Sequence, residues 1–515
     1  MSGDGGELVV AVDIGTTSVR ALAFDTAGQL RHSAKRAYPL HSPEPGREEQ
    51  DPAEIAAAAE DAIAEAAALA ADADDTIAGL AFSSVLHSLV GLDGDGEPLT
   101  PLLTYADERG SEQARALRAA GGAIDLQRRT GTPVHPMSPL VKLRWYRERE
   151  PDLADRVAHW CGIKEHVVAR LTGELTVDHG VASATGLFSL RDERWDDEAL
   201  ELAGVTAQRL PEPAPTDTAL ALSADAARRT GLAEGLAVVL GSGDGPLANL
   251  GLGAIRPGAV ACSIGTSGAL RVVVDAPHVD ERGRAFCYVL SSGRYAVGGA
   301  INNGGVVLDW AGEALAPDVV EGADDGAAEA LLEIAATAPA GSGGLLFMPY
   351  LLGERAPHWQ GRPRGVYLGL TRDHGREHML RSAIEGVSLQ LAIVLRSLVE
   401  AGIEIREVRA TGGFSRSPLW RAVLAAALDE PIGFAESAEA SGLGAALVGM
   451  EALGMIDSLD RAADIVAIDS VEEPDSATAE LYGRLRPIFD DAYTALGDSF
   501  EAIADMQDAL PTHPD

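Results

Sequence analysis

The sequence predicts an α/β protein of two related domains, and three observations predict it. Strand-like apolar runs alternate with helical stretches, the pattern of sheets covered by helices. A hairpin near the start, residues 8–14 and 19–24 around Gly15-Thr16-Thr17-Ser18, recurs as residues 259–264 and 269–274 around Gly265-Thr266-Ser267-Gly268. At 515 residues the chain is also too long for one core. A single repeat at that spacing implies a duplicated domain, not a solenoid.

Each element follows from local chemistry. In both hairpins a β-rich run meets a polar turn containing glycine. Asp51 caps, and Pro52 starts, an Ala/Glu segment that reads as helix to about residue 71. The apolar run 236–240 is a strand ending in Gly241-Ser242-Gly243-Asp244-Gly245-Pro246. The domain boundary is placed there, giving domains 1–246 and 247–515. A later strand ends at Ala410-Thr411 and leads through Gly412-Gly413-Phe414 and Ser417-Pro418 into a helix. The tail from about Thr512 is expected to fray.

Composition narrows the setting. The formal charge is −37, and only Lys35, Lys142 and Lys164 are lysines, leaving 38 of 41 basic residues as Arg. Such an acidic surface keeps a protein hydrated where salt screens its self-repulsion, so the chain reads as adapted to high salt. It leaves no basic stripe for DNA or RNA. The acidic runs 72–75 and 324–325 read as solvated surface. Cys161, Cys262 and Cys287 form no CxxC pair and are expected to be reduced and buried or semi-buried. The N-terminus lacks the charged start of a signal peptide, and no apolar stretch approaches the roughly 20 residues of a membrane span. A soluble, cytoplasmic protein without a membrane partner is expected.

The turns carry the candidate chemistry. Each offers several backbone N–H groups and hydroxyls within a few residues, from Thr16, Thr17 and Ser18 in one copy and Gly265 and Thr266 in the other, as a phosphate cradle does; an ordinary hairpin turn is the alternative. Asp13 precedes the first turn where Ser263 precedes the second. A carboxylate beside a polyphosphate is repulsive unless a cation intervenes, so Asp13 points to Mg²⁺ held partly through water. Asp244, exposed by flanking glycines at a strand end, reads as a general base for an attacking hydroxyl, or else as the cap of the next helix. Gly412, Gly413 and Phe414 lie at a strand-to-helix junction suited to a nucleotide, with Gly298-Gly299 and Gly304-Gly305 as candidates to complete the pocket. No Gly-Lys-Ser/Thr and no well-placed GxGxxG occur, and His374 and His378 have no third ligand for zinc.

These residues resemble the FGGY carbohydrate kinase family of the actin, hexokinase and Hsp70-like superfamily over nearly the whole chain. Asp13-Ile-Gly-Thr-Thr-Ser is similar to its first phosphate motif, Ser263-Ile-Gly-Thr-Ser-Gly to its second and Thr411-Gly-Gly-Phe to its adenosine motif. Pro139-Leu-Val-Lys142-Leu-Arg-Trp145 and the segment 365–385 resemble its two signatures. Tyr146 and Arg149 depart from the first, and both are expected to face solvent on a helix. Arg129-Thr-Gly-Thr-Pro-Val-His135-Pro-Met137, Gly353-Glu-Arg-Ala-Pro357, Ile163-Lys164-Glu165 and Asn302-Asn-Gly-Gly305 resemble gluconate kinases in particular.

The resemblance implies two ribonuclease H-like domains with an interdomain cleft for ATP, Mg²⁺ and sugar, and it is compatible with a homodimer. It implies phosphorylation of a sugar acid such as D-gluconate, with xylulose, glycerol and other polyols as alternatives, and a non-catalytic or sugar-sensing relative as a distant one. By it, His87, Asp107 and Arg109 are substrate-binding positions beside Asp244, Arg109 suiting a carboxylate. Pairing of Arg109 with Asp107 or Glu108 at the surface is the alternative. Gly305 joins Gly265, Thr266 and residues 412–414 at the nucleotide.

Overall fold

The computed structural model describes residues 6–322, 326–435 and 439–509. The acidic pair 324–325 and the tail from Thr512 lie outside the described residues. The chain forms two compact units: residues 1–257, 272–297 and 439–467, and residues 258–271, 298–438 and 468–515. Residue 246 lies within the helix Asp244–Gly251, and the first unit also takes in residues 272–297 and 439–467 from the second half of the chain.

In the first unit β1 (Glu7–Ile14), β2 (Ser18–Phe24), β3 (Leu30–Ala37), β4 (Thr76–Ser84), β5 (Ala219–Ala221) and β6 (Ala237–Gly243) form a sheet in the order β5–β6–β4–β1–β2–β3. β1 and β2 make the expected antiparallel hairpin, with Asp13 opposite Arg20. β4 lies parallel to both β1 and β6, so Ile14, Ser84 and Gly243 stand in one cross-strand row.

The unbroken apolar run of β1 reflects burial on both faces. Leu8, Val10, Val12 and Ile14 share a core with Ile55, Ala59 and Ile63 of helix Pro52–Asp72, which Asp51 caps by accepting from the Ala53 and Glu54 amides. On the other face Val9 meets helix Ala440–Ala452, where a Cβ on Gly449 would lie 2.8 Å from Val9 Cγ1. This late helix also crosses Asp244–Gly251 with the backbones touching. A Cβ on Gly251 would stand 1.8 Å from the Ala440 carbonyl, and one on Gly444 2.0 Å from that of Leu247.

β7 (Ala259–Ile264), β8 (Gly268–Val274, of which residues 268–271 lie in the second unit), β9 (Glu407–Thr411), β10 (Ile432–Phe434) and β11 (Ser470–Glu472) are five neighbouring strands of a seven-stranded sheet, in the order β8–β7–β9–β10–β11. β7, β9 and β10 are parallel and β11 is antiparallel. Contrary to the sequence expectation, one helix does have the length and apolarity of a membrane span, Arg376–Glu400. Its most apolar window is 89% buried within the protein, as in the core helix of a folded domain. Glu385 on that helix is a buried hub, accepting from the Gly341 amide, Ser342 Oγ, Arg381 Nε and the Tyr482 hydroxyl.

Two surface expectations are corrected. Tyr146 is 2% exposed and packs 4.8 Å from the Trp160 ring, while Arg149 does face solvent. In the acidic run 72–75, Asp75 is buried, accepting from the Gly6 amide and bonding His32 Nε2. The three cysteines are free and buried.

Replacing Gly444 by Ala places a methyl against a carbonyl that cannot retreat, outweighing alanine's better helix propensity. Unfolding in urea is expected to show a loss of about 1–3 kcal/mol.

Candidate active site

In both hairpin turns the carbonyls are held from within the turn's own unit. In the first, the Gly15 amide bonds Ser18 O, and every carbonyl from Gly15 to Thr17 is held from within its unit. The Tyr38 hydroxyl donates to Gly15 O at 2.6 Å, Gln50 Nε2 to Thr16 O at 2.7 Å and the Tyr38 amide to Thr17 O at 3.0 Å. In the second, the Gly265 amide bonds Ser267 O, Gly305 N donates to Gly265 O, and Gly304 N and Val306 N donate to Thr266 O. With their carbonyls engaged, Thr16 and Thr17 in one turn and Thr266 and Ser267 in the other are left with amides that bond no described residue, and adjacent N–H groups within a turn suit phosphate oxygens.

Asp13 and Asp244 occupy strand ends on one edge of the first unit's sheet. Asp13 precedes Ile14 at the end of β1, and Asp244 follows Gly243 at the end of β6, with β4 between them. The carboxyl edge of parallel strands is the usual ligand edge of such a sheet. Gly243 takes the helix-capping position and Asp244 the first helical one, where the dipole favours a negative charge. Asp244 is half-buried, and its Oδ1 accepts from Gly245 N at 2.6 Å.

Asp13 is 2% exposed, and its Oδ2 accepts from Arg20 Nη2 at 2.5 Å and Ser441 Oγ at 3.1 Å. Arg20 also pairs with Glu439. Oδ1 of Asp13 accepts no hydrogen bond from a described residue. Among the described residues no three His, Cys, Asp or Glu side chains converge on a metal position. One open carboxylate oxygen therefore fits a Mg²⁺ that brings phosphate and water ligands with it.

The sugar-facing candidates lie in the same unit. Leu86, next to His87, packs on Gly243, where a Cβ would lie 2.2 Å from Leu86 Cδ2; His87 and Asp244 thus belong to adjacent loops. His87 Nδ1 donates to Ala184 O at 2.8 Å, which fixes the proton on that nitrogen and leaves Nε2 as the acceptor, 3.4 Å from the Tyr288 hydroxyl. Arg109 does pair with Asp107, but in the interior: Nε and Nη2 reach the two Asp107 oxygens at 2.8 and 2.7 Å. Nη2 also reaches Glu49 at 2.5 Å, and the guanidinium lies 5.1 Å from the Trp145 ring centre. Nη1 is the guanidinium nitrogen without a described partner.

Three further residues escaped the sequence reading as parts of this site. Arg20 was visible only as a basic residue on the returning strand. Lys142, fully buried, donates to the carbonyls of His87 and Thr104. Lys164, equally buried, pairs with Asp178 and donates to Leu240 O of β6.

In the second unit a cavity of ≈ 500 Å³ gathers Gly265, Thr266, Gly305, Gly413 and Phe414 from three separated stretches of sequence. Leu308, Leu332, Pro418 and Trp420 give it apolar walls, and Asp309 and Glu333 stand at it. Gly412 sits just behind: its φ is +123°, and a Cβ there would lie 2.1 Å from Ile264 O, so only glycine lets β9 end against β7. Gly298, Gly299 and Gly304 are not among the lining residues; Gly299 packs against Ala356 and Val394 instead.

Known proteins share these features. Residues 8–251 match the FGGY family of carbohydrate kinases, N-terminal domain, and residues 260–453 its C-terminal domain. The chain is 38% identical over 512 residues to a gluconokinase of Bacillus subtilis (strain 168), covering 98% of this chain and 99% of the relative. A gluconate kinase from Lactobacillus acidophilus superposes with a TM-score of 0.91 at 33% identity, over 96% of this chain and 99% of that one. A ligand-bound xylulose kinase from Lactobacillus acidophilus does so with the same TM-score and identity, over 96% and 100%.

Arg109→Met would leave Asp107 buried without its counter-charge. The expected loss is about 3 kcal/mol in denaturant unfolding, on top of any effect on the reaction.

Proposed function

The chain belongs to the FGGY family of carbohydrate kinases, and from that premise we propose that it transfers the γ-phosphoryl group of ATP to the terminal hydroxyl of D-gluconate, giving 6-phosphogluconate. The observation that carries the reaction is Asp244: an acid at the carboxyl edge of the sheet, half-exposed, beside the His87 loop. The 38% identity with a gluconokinase over nearly the full chain supports the acceptor.

Phosphoryl transfer asks a protein mostly for positioning and charge stabilisation. Asp244 accepts the proton of the sugar hydroxyl as its oxygen bonds to the γ-phosphorus, and the bond from that phosphorus to the bridging oxygen breaks to release ADP. His87 Nε2 can accept from a sugar hydroxyl in place of the Tyr288 hydroxyl 3.4 Å away. Arg109, held by Asp107 and Glu49, has Nη1 left for the sugar-acid carboxylate. The amides at Thr16, Thr17 and Thr266, with the hydroxyl of Ser18, suit the phosphates, and the cavity bounded by Gly265, Gly305, Gly413 and Phe414 suits adenosine. Asp13 would hold a Mg²⁺ that neutralises phosphate charge. The net charge of −37 supports work at high salt, and the use of ATP supports a cytoplasmic setting.

A second acceptor, xylulose, is favoured by the equal structural likeness to a xylulose kinase. An ADP-release assay in high salt across gluconate, other sugar acids, pentuloses and glycerol separates the two. Gluconate is expected to give the highest kcat/KM; preference for an uncharged sugar would remove both the gluconate assignment and the role given to Arg109 Nη1. Asp244→Asn is expected to lower kcat by about 10²–10⁴-fold while nucleotide affinity, read by calorimetry, stays unchanged.

A further inference from the structure

We infer that Lys142 is a positioning residue for the acceptor sugar, a buried amine that ties the loop carrying His87 to the turn carrying Asp107. Its side chain is wholly inaccessible, and Nζ lies 2.6 Å from His87 O and 2.6 Å from Thr104 O. Both loops need the tie. His87 holds a φ of +67°, a sparsely populated conformation for a side-chain-bearing residue. Thr104 O also accepts from the Asp107 amide, so one carbonyl anchors both the amine and the turn that presents Asp107.

The helix Pro139–Arg149 forms the platform. One turn beyond Lys142, on the same face, Trp145 lies under the Arg109 guanidinium, and Val141 meets Gly110, where a Cβ would stand 2.7 Å from its Cγ1. The chemistry of the residue is specific. In a chain whose basic residues are otherwise almost all Arg, a five-donor fork here would bury donors without acceptors. Lys142 forms no ion pair among the described residues, and burial lowers its amine to about 7. Protonated or neutral, the amine has at least two N–H donors for the two carbonyls.

The inference rests on His87 and Asp107 facing the sugar. The wild-type protein is therefore assayed first over the sugar panel, and its best acceptor is used for the variants, so that a wrong acceptor and a wrong role for Lys142 appear separately. Lys142→Met keeps the volume and removes both donors; the sugar KM is expected to rise about tenfold or more with the ATP KM within about twofold. Lys142→Gln keeps two N–H groups on one shorter neutral arm and is expected to be intermediate, about threefold. A sugar KM unmoved in the Met variant, sugar and ATP KM rising together, or a Gln variant no better than Met overturns the role. If the Met variant does not fold, the Gln variant decides alone: a raised sugar KM at constant ATP KM upholds it, and equal or absent shifts overturn it.

Discussion

The engagement of turn carbonyls from within governs much of this architecture. A hairpin turn has as many acceptors as donors, and buried ones must be satisfied. Here the acceptors are taken by the protein, so the donors are what the turn has left to offer. The two units meet the requirement with different groups: the Tyr38 and Gln50 side chains hold the carbonyls of residues 15 and 16 and the Tyr38 amide that of residue 17, whereas backbone amides of residues 304–306 hold residues 265–266. The second solution needs the chain at 304–306 to lie against the turn, and glycine at 304 and 305 allows that approach.

From this shared frame the two hairpins diverge in charge. Asp13 faces Arg20 across its hairpin, and Arg20 bridges it to Glu439. In the second copy Ser263 replaces the acid, and Arg271 donates to its Oγ at 3.2 Å. An arginine of the returning strand thus reaches the residue before the turn in both copies, one position further along in the second, where Leu270 stands at the place of Arg20. A full carboxylate beside the first turn, half-neutralised by Arg20, can attract a cation without binding one tightly by itself. Asp244 stands in the field of a helix N-terminus. One acid is suited to charge balance and the other to a proton.

Much of this was legible in the amino-acid sequence where the chemistry is local. The hairpins follow from alternation and glycine turns, and the helix Pro52–Asp72 from its cap and proline. The cavity residues at 265–266, 305 and 413–414 announced themselves by glycine content. What stayed hidden depends on partners far along the chain. Nothing near Arg109 indicates that Glu49, 60 residues earlier, shares its charge in the interior. Nothing near Ala440–Ala452 shows that this apolar helix belongs with β1. The fit with Asp244–Gly251 is a matter of missing side chains, Gly251 and Gly444, which no hydropathy pattern reports. Tyr146 was misjudged because a hydroxyl on a helix reads as exposed until Trp160 is placed against it.

The basic residues show how surface and interior make different demands. At the surface an acidic chain can use arginine widely, since its guanidinium forks onto carboxylates and is weakly hydrated. Inside, a planar fork with five donors is hard to satisfy, and a single nitrogen is not. Two of the three lysines are accordingly buried, and each spends its amine on the backbone of an element ending at the site. Lys142 reaches the carbonyls at His87 and Thr104, and Lys164 reaches Leu240 O, four residues before Asp244, while pairing with Asp178. The presence of lysine here in so arginine-rich a chain follows from geometry: one compact donor can join two stretches of backbone where a fork would push them apart.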